Sequence, residues 1–309
     1  MRILHFSDVH LREPAAGVRL REWLGKRLFG GANLLLGRRH VFEDAPAKVE
    51  ALDRFRRELG VDLVICTGDL TALGTRGEFD LACRALEPLS AAPLGHVFVP
   101  GNHDLYARDA VRREQFRKHF GAALETDCPE YRVEDGPWPL VRLVGDDVAV
   151  VAVNSARPNP LPWRSSGRIP DIQVEALGRV LADDRLRGRF VFVATHYAPR
   201  LEDGGPDKRL HRLVNADAFL DACRDVSPGA ILCGHVHRRY SVRVEGVKPR
   251  LFCAGSATKR GVEGLWVFDV EGGRCRATPG RWAGDQYVRE SGSGRSIRFS
   301  APPGRQDSA

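Results

Sequence analysis

Five short segments of this chain have the apolar run of a buried strand and then end in side chains that can bind a metal ion or carry a proton. The sharpest break is at Pro100 and Gly101, where an amide, an imidazole and a carboxylate follow the strand at once. The polar residues at the five strand ends are Asp8 and His10, Asp69, Asn102 and His103, His196, and His235 and His237. Because the carboxyl ends of strands in an open α/β sheet share one edge, we expect these side chains to meet there.

The spacing between the segments also indicates an α/β fold. Asp69 and Asn102 are 33 residues apart, and His196 and His235 are 39 residues apart. Each interval suits one strand–helix–strand unit. The interval from Asp8 to Asp69 is longer by about the size of the segment 11–44, which we interpret as an insertion.

Hydrophobic periodicity predicts helices between these strands. The predicted helices cover 45–59, 78–89, 109–120, 171–184 and 215–225. The predicted strands cover 2–7, 61–66, 94–99, 131–134, 140–144, 148–153, 190–194 and 229–233, followed by short strands from 240 to about 278. From about 283 the apolar pattern is lost and Ser, Gly, Arg and Pro dominate, so we expect one catalytic domain over 1–282 and a disordered tail over 283–309.

The donor types indicate the chemistry of the site. Seven of the strand-end residues are candidate metal ligands: Asp8, His10, Asp69, Asn102, His196, His235 and His237. Oxygen and imidazole donors without thiolates suit Mn, Fe, Zn, Co or Ni. Seven ligands are too many for one ion and suit two ions that share a carboxylate. Such a pair can hold a hydroxide and clamp a phosphoryl group, so the residues predict metal-assisted hydrolysis of a phosphate ester.

In this order the motifs resemble those of the calcineurin-like metallophosphoesterase superfamily. The matching blocks are Asp8-x-His10, Gly68-Asp69, Gly101-Asn102-His103-Asp104, His196 and Gly234-His235-x-His237. The resemblance implies a four-layer α-β-β-α sandwich with two mixed central sheets flanked by helices.

The resemblance also implies a role for each matching residue. Asp8, His10 and His237 would hold the first ion, and Asn102, His196 and His235 the second, with Asp69 bridging both. A metal-bridging hydroxide would attack phosphorus in line. His103 would lie beside the phosphate and stabilise or protonate the leaving oxygen, and Asp104 would orient His103.

Within the superfamily, the Asn-His-Asp and His-x-His blocks resemble most those of bacterial class III cyclic nucleotide phosphodiesterases. We therefore expect a phosphodiesterase for a cyclic nucleotide or a related small diester. Tyr197 departs from the pattern, since many relatives have a second histidine there. The candidate substrate contacts in the loops around the site are Trp163, Tyr197, Arg200 and Arg238, together with Arg164 and Arg168. His211, in the loop after His196, is a further residue that could face the site.

Other functions fit parts of the pattern. The insertion 11–44 interleaves basic and apolar residues, which fits either a basic amphipathic cap on lipid or anionic substrate, or two short surface helices packed on the domain. The cap would suit peripheral membrane contact and a pyrophosphatase for a nucleotide-lipid such as UDP-diacylglucosamine. A nuclease would explain the net charge of +7, although the basic residues are dispersed. A non-catalytic metal-binding scaffold is the remaining alternative.

Composition restricts the setting of the protein. With 43% hydrophobic and 28% charged residues and no apolar run of membrane-spanning length, the chain is typical of a soluble globular protein. Seven cysteines without a CxxC pair favour a reducing compartment. The chain begins Met1-Arg2 with no apolar leader, so we expect a cytoplasmic location. Arginine far exceeds lysine, as in proteins of GC-rich bacteria. No pattern indicates an oligomeric state.

Overall fold

The structure, a computed structural model, describes residues 1–13, 41–112, 114–133, 136–159, 161, 163–290 and 294–298. Its strands are β1 (Arg2–Phe6), β2 (Leu63–Cys66), β3 (His96–Phe98), β4 (Leu140–Val144), β5 (Val148–Ala152), β6 (Phe190–Ala194), β7 (Gly229–Cys233), β8 (Arg239–Val242), β9 (Arg250–Ala254), β10 (Gly264–Glu271), β11 (Arg274–Trp282), β12 (Tyr287–Arg289) and β13 (Arg295–Arg298). Its helices are α1 (Ala45–Leu59), α2 (Arg76–Ser90), α3 (Arg108–Arg112), α4 (Gln115–Phe120), α5 (Asp171–Leu181) and α6 (Ala216–Cys223).

The strands form two mixed sheets. The first has the order β12-β11-β10-β1-β2-β3, with β13 also pairing with β11. The second has the order β4-β5-β6-β7-β9-β8. Strands β1, β2 and β3 run parallel to one another, as do β5, β6, β7 and β9. Each sheet therefore brings the carboxyl ends of several consecutive strands to one edge.

The two sheets pack face to face, and helices cover their outer faces. Along β6, Phe190, Phe192 and Ala194 lie in the core between the sheets, and the ring of Phe192 is 5.1 Å from that of Phe268 in β10. The alternate β6 residues, Val191 and Val193, instead pack in a second core with residues of α5 and α6. Strand residues alternate between faces, so each face of β6 serves a different core.

Helices α1 and α2 cover the outer face of the first sheet, and their apolar residues are continuous with the core between the sheets in one hydrophobic cluster. Helix α2 begins with a capping box, in which the Thr75 side chain accepts from the Glu78 N–H and Glu78 reaches back to the Thr75 N–H. The predicted four-layer α-β-β-α sandwich with two mixed sheets is confirmed.

Several sequence predictions differ from the structure at the edges of elements. Predicted helix 109–120 is divided into α3 and α4, and no strand occurs at the described positions of 131–134, where a 3-10 turn ends at Tyr131. Most of the insertion 11–44 lies outside the described residues, so neither interpretation of it is tested. None of the helices in the described ranges has the length and apolar character of a membrane span.

The expected disordered tail over 283–309 is wrong for part of its length. Strand β12 pairs with β11 from Gly280↔Arg289 to Trp282↔Tyr287, and β13 pairs with β11 from Arg274↔Arg298 to Ala277↔Arg295. The buried side chain of Tyr287 packs 6.1 Å from Phe55 of α1, measured between ring centroids. The first sheet therefore extends past 282, and residues 299–309 lie outside the described part of the chain.

Candidate metal centre

Five of the predicted ligands have a left-handed backbone conformation. The φ angles are 55° at Asp8, 51° at His10, 56° at Asp69, 72° at His235 and 53° at His237. Within the described ranges, only one other non-glycine residue has a positive φ. Such a conformation costs about 1–3 kcal/mol and persists only where the surroundings enforce it. The strained residues are therefore gathered at the strand ends that carry the predicted ligands.

Glycines beside the ligands allow the strand-end loops to approach closely. A Cβ on Gly101 would lie 2.0 Å from Oδ1 of Asp69, and a Cβ on Gly234 would lie 2.4 Å from Oδ2 of Asp8. At these distances a side chain at either position would force the neighbouring atoms to move. The loops of the two sheets can meet around the carboxylates only because these positions are glycine.

Asp8, His10 and His237 form what we call the first cluster. The Nε2 atoms of His10 and His237 are 2.9 Å apart, and Oδ1 of Asp8 is 3.1 Å from Nε2 of His237. One donor atom from each of these residues and from Asp69 lies within 4.8 Å of the others. The donors converge as ligands of one ion would.

Asn102, His196 and His235 form the second cluster. Nε2 of His196 is 3.1 Å from Oδ1 of Asn102 and 3.4 Å from Oδ2 of Asp69. Donor atoms of Asp69, His196 and His235 lie within 4.8 Å of one another. Oδ2 of Asp69 is also 3.9 Å from Nε2 of His10 in the first cluster. The structure thus brings all seven predicted ligands together, with Asp69 shared between the clusters.

Hydrogen bonds define which nitrogen each imidazole of the second cluster can offer. Nδ1 of His196 donates to the carbonyl of Thr67 at 2.7 Å, which leaves Nε2 toward Asn102 and Asp69. Nε2 of His235 donates a hydrogen bond to the carbonyl of His211 at 3.0 Å, which leaves Nδ1 as the nitrogen that can bind a metal ion. Histidine ligands of metals ordinarily donate their other N–H in this way.

Buried charge at the site calls for a cation. Oδ1 of Asp8 is buried and, among the described residues, has no aligned hydrogen-bond donor although Nε2 of His237 is 3.1 Å away, which is costly for a carboxylate. Burial alone would lower the pKa of His196, but the facing Asp69 carboxylate raises it to about 9. Burial and the adjacent His211 hold the pKa of His235 well below its usual range, so that imidazole is neutral. The orphaned oxygen, the negative potential and the mixed oxygen and nitrogen donors fit two divalent metal ions.

His103 and Asp104 are placed differently from the expectation. Nδ1 of the His103 imidazole pairs with the Ala72 carbonyl, and the ring stacks on Tyr106. The Asp104 carboxylate accepts hydrogen bonds from the backbone N–H groups of Leu70, Thr71 and Gly101 and from the Thr71 hydroxyl. Asp104 therefore ties the 101–104 loop to the 70–71 loop and acts on His103 through the backbone, without the expected contact to the ring. Burial and the nearby Asp69 raise the pKa of Asp104 to about 6.

A cavity of about 1060 Å³ opens over both clusters. Its lining includes Asp69, Asn102, His103, His235 and His237 among the predicted site residues. Two candidate substrate contacts also line it, Trp163 and Arg238, and the Trp163 side chain is 69% exposed. These two residues are placed where a bound substrate could touch them.

The other candidate substrate contacts lie elsewhere. Tyr197 is fully buried, with its hydroxyl donating to the Ser165 carbonyl at 2.6 Å, so this expectation is wrong. The expectation that Arg200 contacts the substrate is also wrong, because Arg200 pairs with Asp217 and lines a separate hollow beside α6. The remaining two arginines do not line the cavity: Arg164 donates to Ser166 and Arg168 pairs with Asp171.

Sequence reasoning missed the residues that support the first cluster. The Ser256 hydroxyl donates to the Asp8 carbonyl at 2.6 Å, and the Thr258 hydroxyl donates to the Val9 carbonyl at 2.6 Å. The ring of Phe42 lies 4.7 Å from that of His10. A signal was available for Ser256, because it follows β9 as a further polar strand end in the parallel part of the second sheet. No local signal indicated Phe42.

Comparison with known proteins identifies the family. The sequence pattern of the calcineurin-like phosphoesterases matches residues 1–239, which contain every predicted ligand. The chain belongs to this family. Family and site together support metal-dependent hydrolysis of a phosphate ester, with two divalent metal ions as cofactors. No curated protein sequence matches this chain.

Solved structures share the fold at low sequence identity. A dimetal phosphatase from Danio rerio superposes with a TM-score of 0.66 at 13% identity, covering 97% of this chain and 99% of the other. The purple acid phosphatase PPD1 from yellow lupin superposes with a TM-score of 0.59 at 12% identity, covering 96% of this chain and 53% of the other. This chain thus spans about half the length of the lupin enzyme. At such identities the likeness concerns the fold.

Proposed function

We propose that this protein is a metal-dependent phosphodiesterase that acts on a small diester, with cyclic nucleotides as the first class to test. The observation that carries the proposal is the extent of the cavity. Beyond the two clusters it continues to Trp163, Leu210, Arg238 and Lys259. A phosphomonoester needs only the part of the cavity that is lined by the two clusters. A diester has a second substituent, which would contact the outer wall. The exposed face of Trp163 suits a nucleobase.

The proposal gives each group a task. The first cluster would hold one ion and the second cluster the other, with Asp69 available to both clusters. When bound, two divalent ions supply Lewis-acid activation of water and neutralise charge on the phosphoryl group. His103 lines the same floor, and its Nδ1 is engaged by the Ala72 carbonyl. Nε2 is therefore the atom through which His103 stabilises or protonates the leaving oxygen.

A second candidate is the pyrophosphatase for a nucleotide-lipid. The observation that favours it is the apolar part of the cavity rim, where Trp163 and Leu210 are 69% and 48% exposed. The Ser165 N–H donates to the Leu210 carbonyl at 2.9 Å, so the two rim loops are held side by side. An acyl chain would cover these side chains.

The deciding experiment compares bis-p-nitrophenyl phosphate with p-nitrophenyl phosphate. Chelator-stripped protein is refilled with Mn²⁺, and Asp69→Ala serves as the control. We expect diester turnover that requires both Mn²⁺ and Asp69. A panel of cyclic nucleotides, UDP-diacylglucosamine and DNA then identifies the substrate. DNA hydrolysis that falls steeply with salt would replace the proposal with a nuclease.

Other outcomes overturn the proposal in defined ways. Preference for the monoester would make the protein a phosphatase. Turnover of UDP-diacylglucosamine without turnover of cyclic nucleotides would select the second candidate. Two bound ions with no turnover of any of these substrates would favour the non-catalytic scaffold.

Arg238 provides a test of substrate contact. It lies in the cavity wall next to His237, and within the described part of the chain its ion pair is a long one, 3.9 Å to Glu202. Arg238→Ala should raise KM for the preferred diester about tenfold with little change in kcat, as expected for loss of one exposed phosphate contact. Arg168→Ala is the matched control outside the cavity. Equal KM values in both variants would remove Arg238 from the proposed site.

The setting of the reaction is part of the same proposal. We place the protein in a bacterial cytoplasm, acting on a small phosphate ester, with membrane contact through 11–44 as the alternative setting. Fractionation of cells producing the tagged protein distinguishes these settings, because a peripheral protein pellets with membranes at low salt.

A further inference from the structure

The imidazole of His235 is held on both faces and at one nitrogen. Its ring centroid is 4.1 Å from that of Tyr197 and 4.1 Å from that of His211. Two rings cannot lie this close on the same face, so His235 is held between them. Its Nε2 donates to the His211 carbonyl at 3.0 Å. His211 therefore contacts His235 through both its ring and its backbone.

His211 is in turn fixed by Asp207. Nδ1 of His211 and Oδ2 of Asp207 are 2.7 Å apart, and the Asp207 side chain is only 11% exposed. Oδ1 of Asp207 accepts from the Lys208 N–H at 2.6 Å, which orients the carboxylate. The N–H of His211 donates to the Lys208 carbonyl at 2.8 Å and closes the turn. These hydrogen bonds hold Asp207 and His211 against each other within the loop.

His235 needs external support because its own backbone does not favour its position. Its φ of 72° is a strained conformation, and it follows Gly234, where the chain leaves β7. A ligand must be held near its productive geometry before the ion arrives if the ion is to bind tightly. The contacts from 207–211 supply this restraint from a segment 24 residues away.

We propose that Asp207 and His211 are positioning residues that clamp His235 with Nδ1 directed toward the second metal position. This inference rests on the proposed function, since it takes His235 as a metal ligand. Donor atoms of Asp207, His211 and His235 also lie within 4.8 Å of one another. Hydrogen bonds already engage Nδ1 of His211, Oδ2 of Asp207 and Nε2 of His235, which favours a clamp over a third ion site.

Titration calorimetry of Mn²⁺ into chelator-stripped protein tests the clamp. The wild type should bind two ions. Asp207→Leu removes the acceptor at similar size, and His211→Phe keeps a ring over His235 but cannot bond to Asp207. Both variants should bind the second ion about ten- to hundredfold more weakly, the usual effect of losing a group that orients a ligand. Affinity for the first ion should not change.

Two further variants separate positioning from general damage. Asp207→Asn keeps an oxygen that can accept from His211 and should restore an affinity close to that of the wild type. Asp80→Leu is the matched control, because Asp80 and His119 form another carboxylate–imidazole pair, 2.9 Å apart, with the ring stacked on Phe79 away from the metal centre. It should leave both affinities unchanged, and thermal melting of the metal-free proteins checks that each variant folds.

Each outcome decides one proposal or the other. A wild type that binds two ions while Asp207→Leu and His211→Phe bind both equally well would overturn the clamp and leave the proposed function standing. A third bound ion in the wild type, lost in His211→Phe, would show a cation site in place of the clamp. A wild type that binds fewer than two ions would overturn the proposed function and the clamp with it.

Discussion

The first and second clusters share Asp69, but they hold their ligands by different means. In the second cluster, His196 and His235 each donate one ring nitrogen to a backbone carbonyl, and His235 lies between two further rings. In the first cluster, the two imidazole nitrogens face each other at 2.9 Å, and Oδ1 of Asp8 has no aligned hydrogen-bond donor in the described part of the chain. All three residues of the first cluster have a positive φ.

The difference indicates two kinds of preorganisation. The second cluster is satisfied by hydrogen bonds within the protein before any ion binds. The first cluster is positioned by strained backbone and by the hydroxyl groups of Ser256 and Thr258. Oδ2 of its buried Asp8 carboxylate accepts the His235 N–H at 2.9 Å, but Oδ1 has no aligned hydrogen-bond donor among the described residues. We therefore expect the first cluster to depend more on its ion for order, and the second to depend more on its surroundings for affinity.

Asp69→Asn should have the largest effect, because it weakens both clusters at once. Oδ2 of Asp69 lies 3.9 Å from His10 and 3.4 Å from His196, and Oδ1 accepts the His103 N–H at 2.7 Å. We expect kcat to fall by about a thousandfold or more, measured with the preferred diester and saturating Mn²⁺.

The control for this variant is Asp53→Asn, which alters another buried carboxylate, paired with Arg56 in α1 and not part of the cavity lining. It should leave kcat unchanged. If Asp69→Asn keeps more than about a tenth of wild-type turnover, Asp69 does not join the two clusters as a shared ligand.

Gly101→Ala and Gly234→Ala compare how rigidly the protein is packed beside the shared carboxylate Asp69 and beside Asp8 of the first cluster. A Cβ on Gly101 meets the backbone nitrogen of Asp69 at 2.3 Å, whereas a Cβ on Gly234 meets the Ser7 hydroxyl at 2.0 Å and Asp8 Oδ2 at 2.4 Å. Backbone cannot move aside as a side chain can. Urea denaturation should show a loss of about 3 kcal/mol for Gly101→Ala and about 1–2 kcal/mol for Gly234→Ala.

Gly121→Ala is the matched control, since Gly121 has a helical φ of −56° and open space where a Cβ would be. It should be neutral or slightly stabilising. A larger loss at Gly234 than at Gly101 would show that the first cluster is the more rigid of the two.

His5→Gln should change how stability depends on pH. His5 lies in β1, 3.0 Å from the Thr67 hydroxyl, and burial lowers its pKa to about 3. In the unfolded chain the pKa of His5 is near 6.5, so between about pH 3 and 6.5 the unfolded state binds more protons than the folded state. Stability from the neutral imidazole is present above about pH 6.5 and is lost as pH falls toward 3, at about 1.4 kcal/mol per unit.

Urea denaturation of wild type and His5→Gln between pH 4.5 and 7 measures this difference in slope. The two curves should converge as the pH falls. Parallel curves would show that His5 is not held neutral in the folded protein.

Tyr197→Phe should have the smallest effect. It removes the hydrogen bond to the Ser165 carbonyl but keeps the ring against His235. We expect a loss of about 1 kcal/mol in the free energy of unfolding and no change in Mn²⁺ affinity at the second cluster. Weaker binding of the second ion would mean that the hydroxyl, and not the ring alone, holds His235.

Elements with a strong local pattern agree with the sequence predictions. Helix 45–59 and strands 190–194 and 229–233 have the predicted bounds, because burial of one face leaves a periodic signal in the residues themselves. Strands β12 and β13 escaped prediction for the opposite reason. They are short strands added by backbone pairing to β11, and such pairing leaves little mark on a polar sequence.

The sequence by itself determined which donors the site contains and that they stand at strand ends, because parallel strands in one sheet deliver their carboxyl ends to one edge. Only the tertiary structure decided which neighbours complete the site. Tyr197 follows His196 in the chain but is buried behind His235, whereas Ser256 supports Asp8 across 248 residues. Such contacts depend on how the two sheets and their loops pack, and no local pattern encodes that geometry.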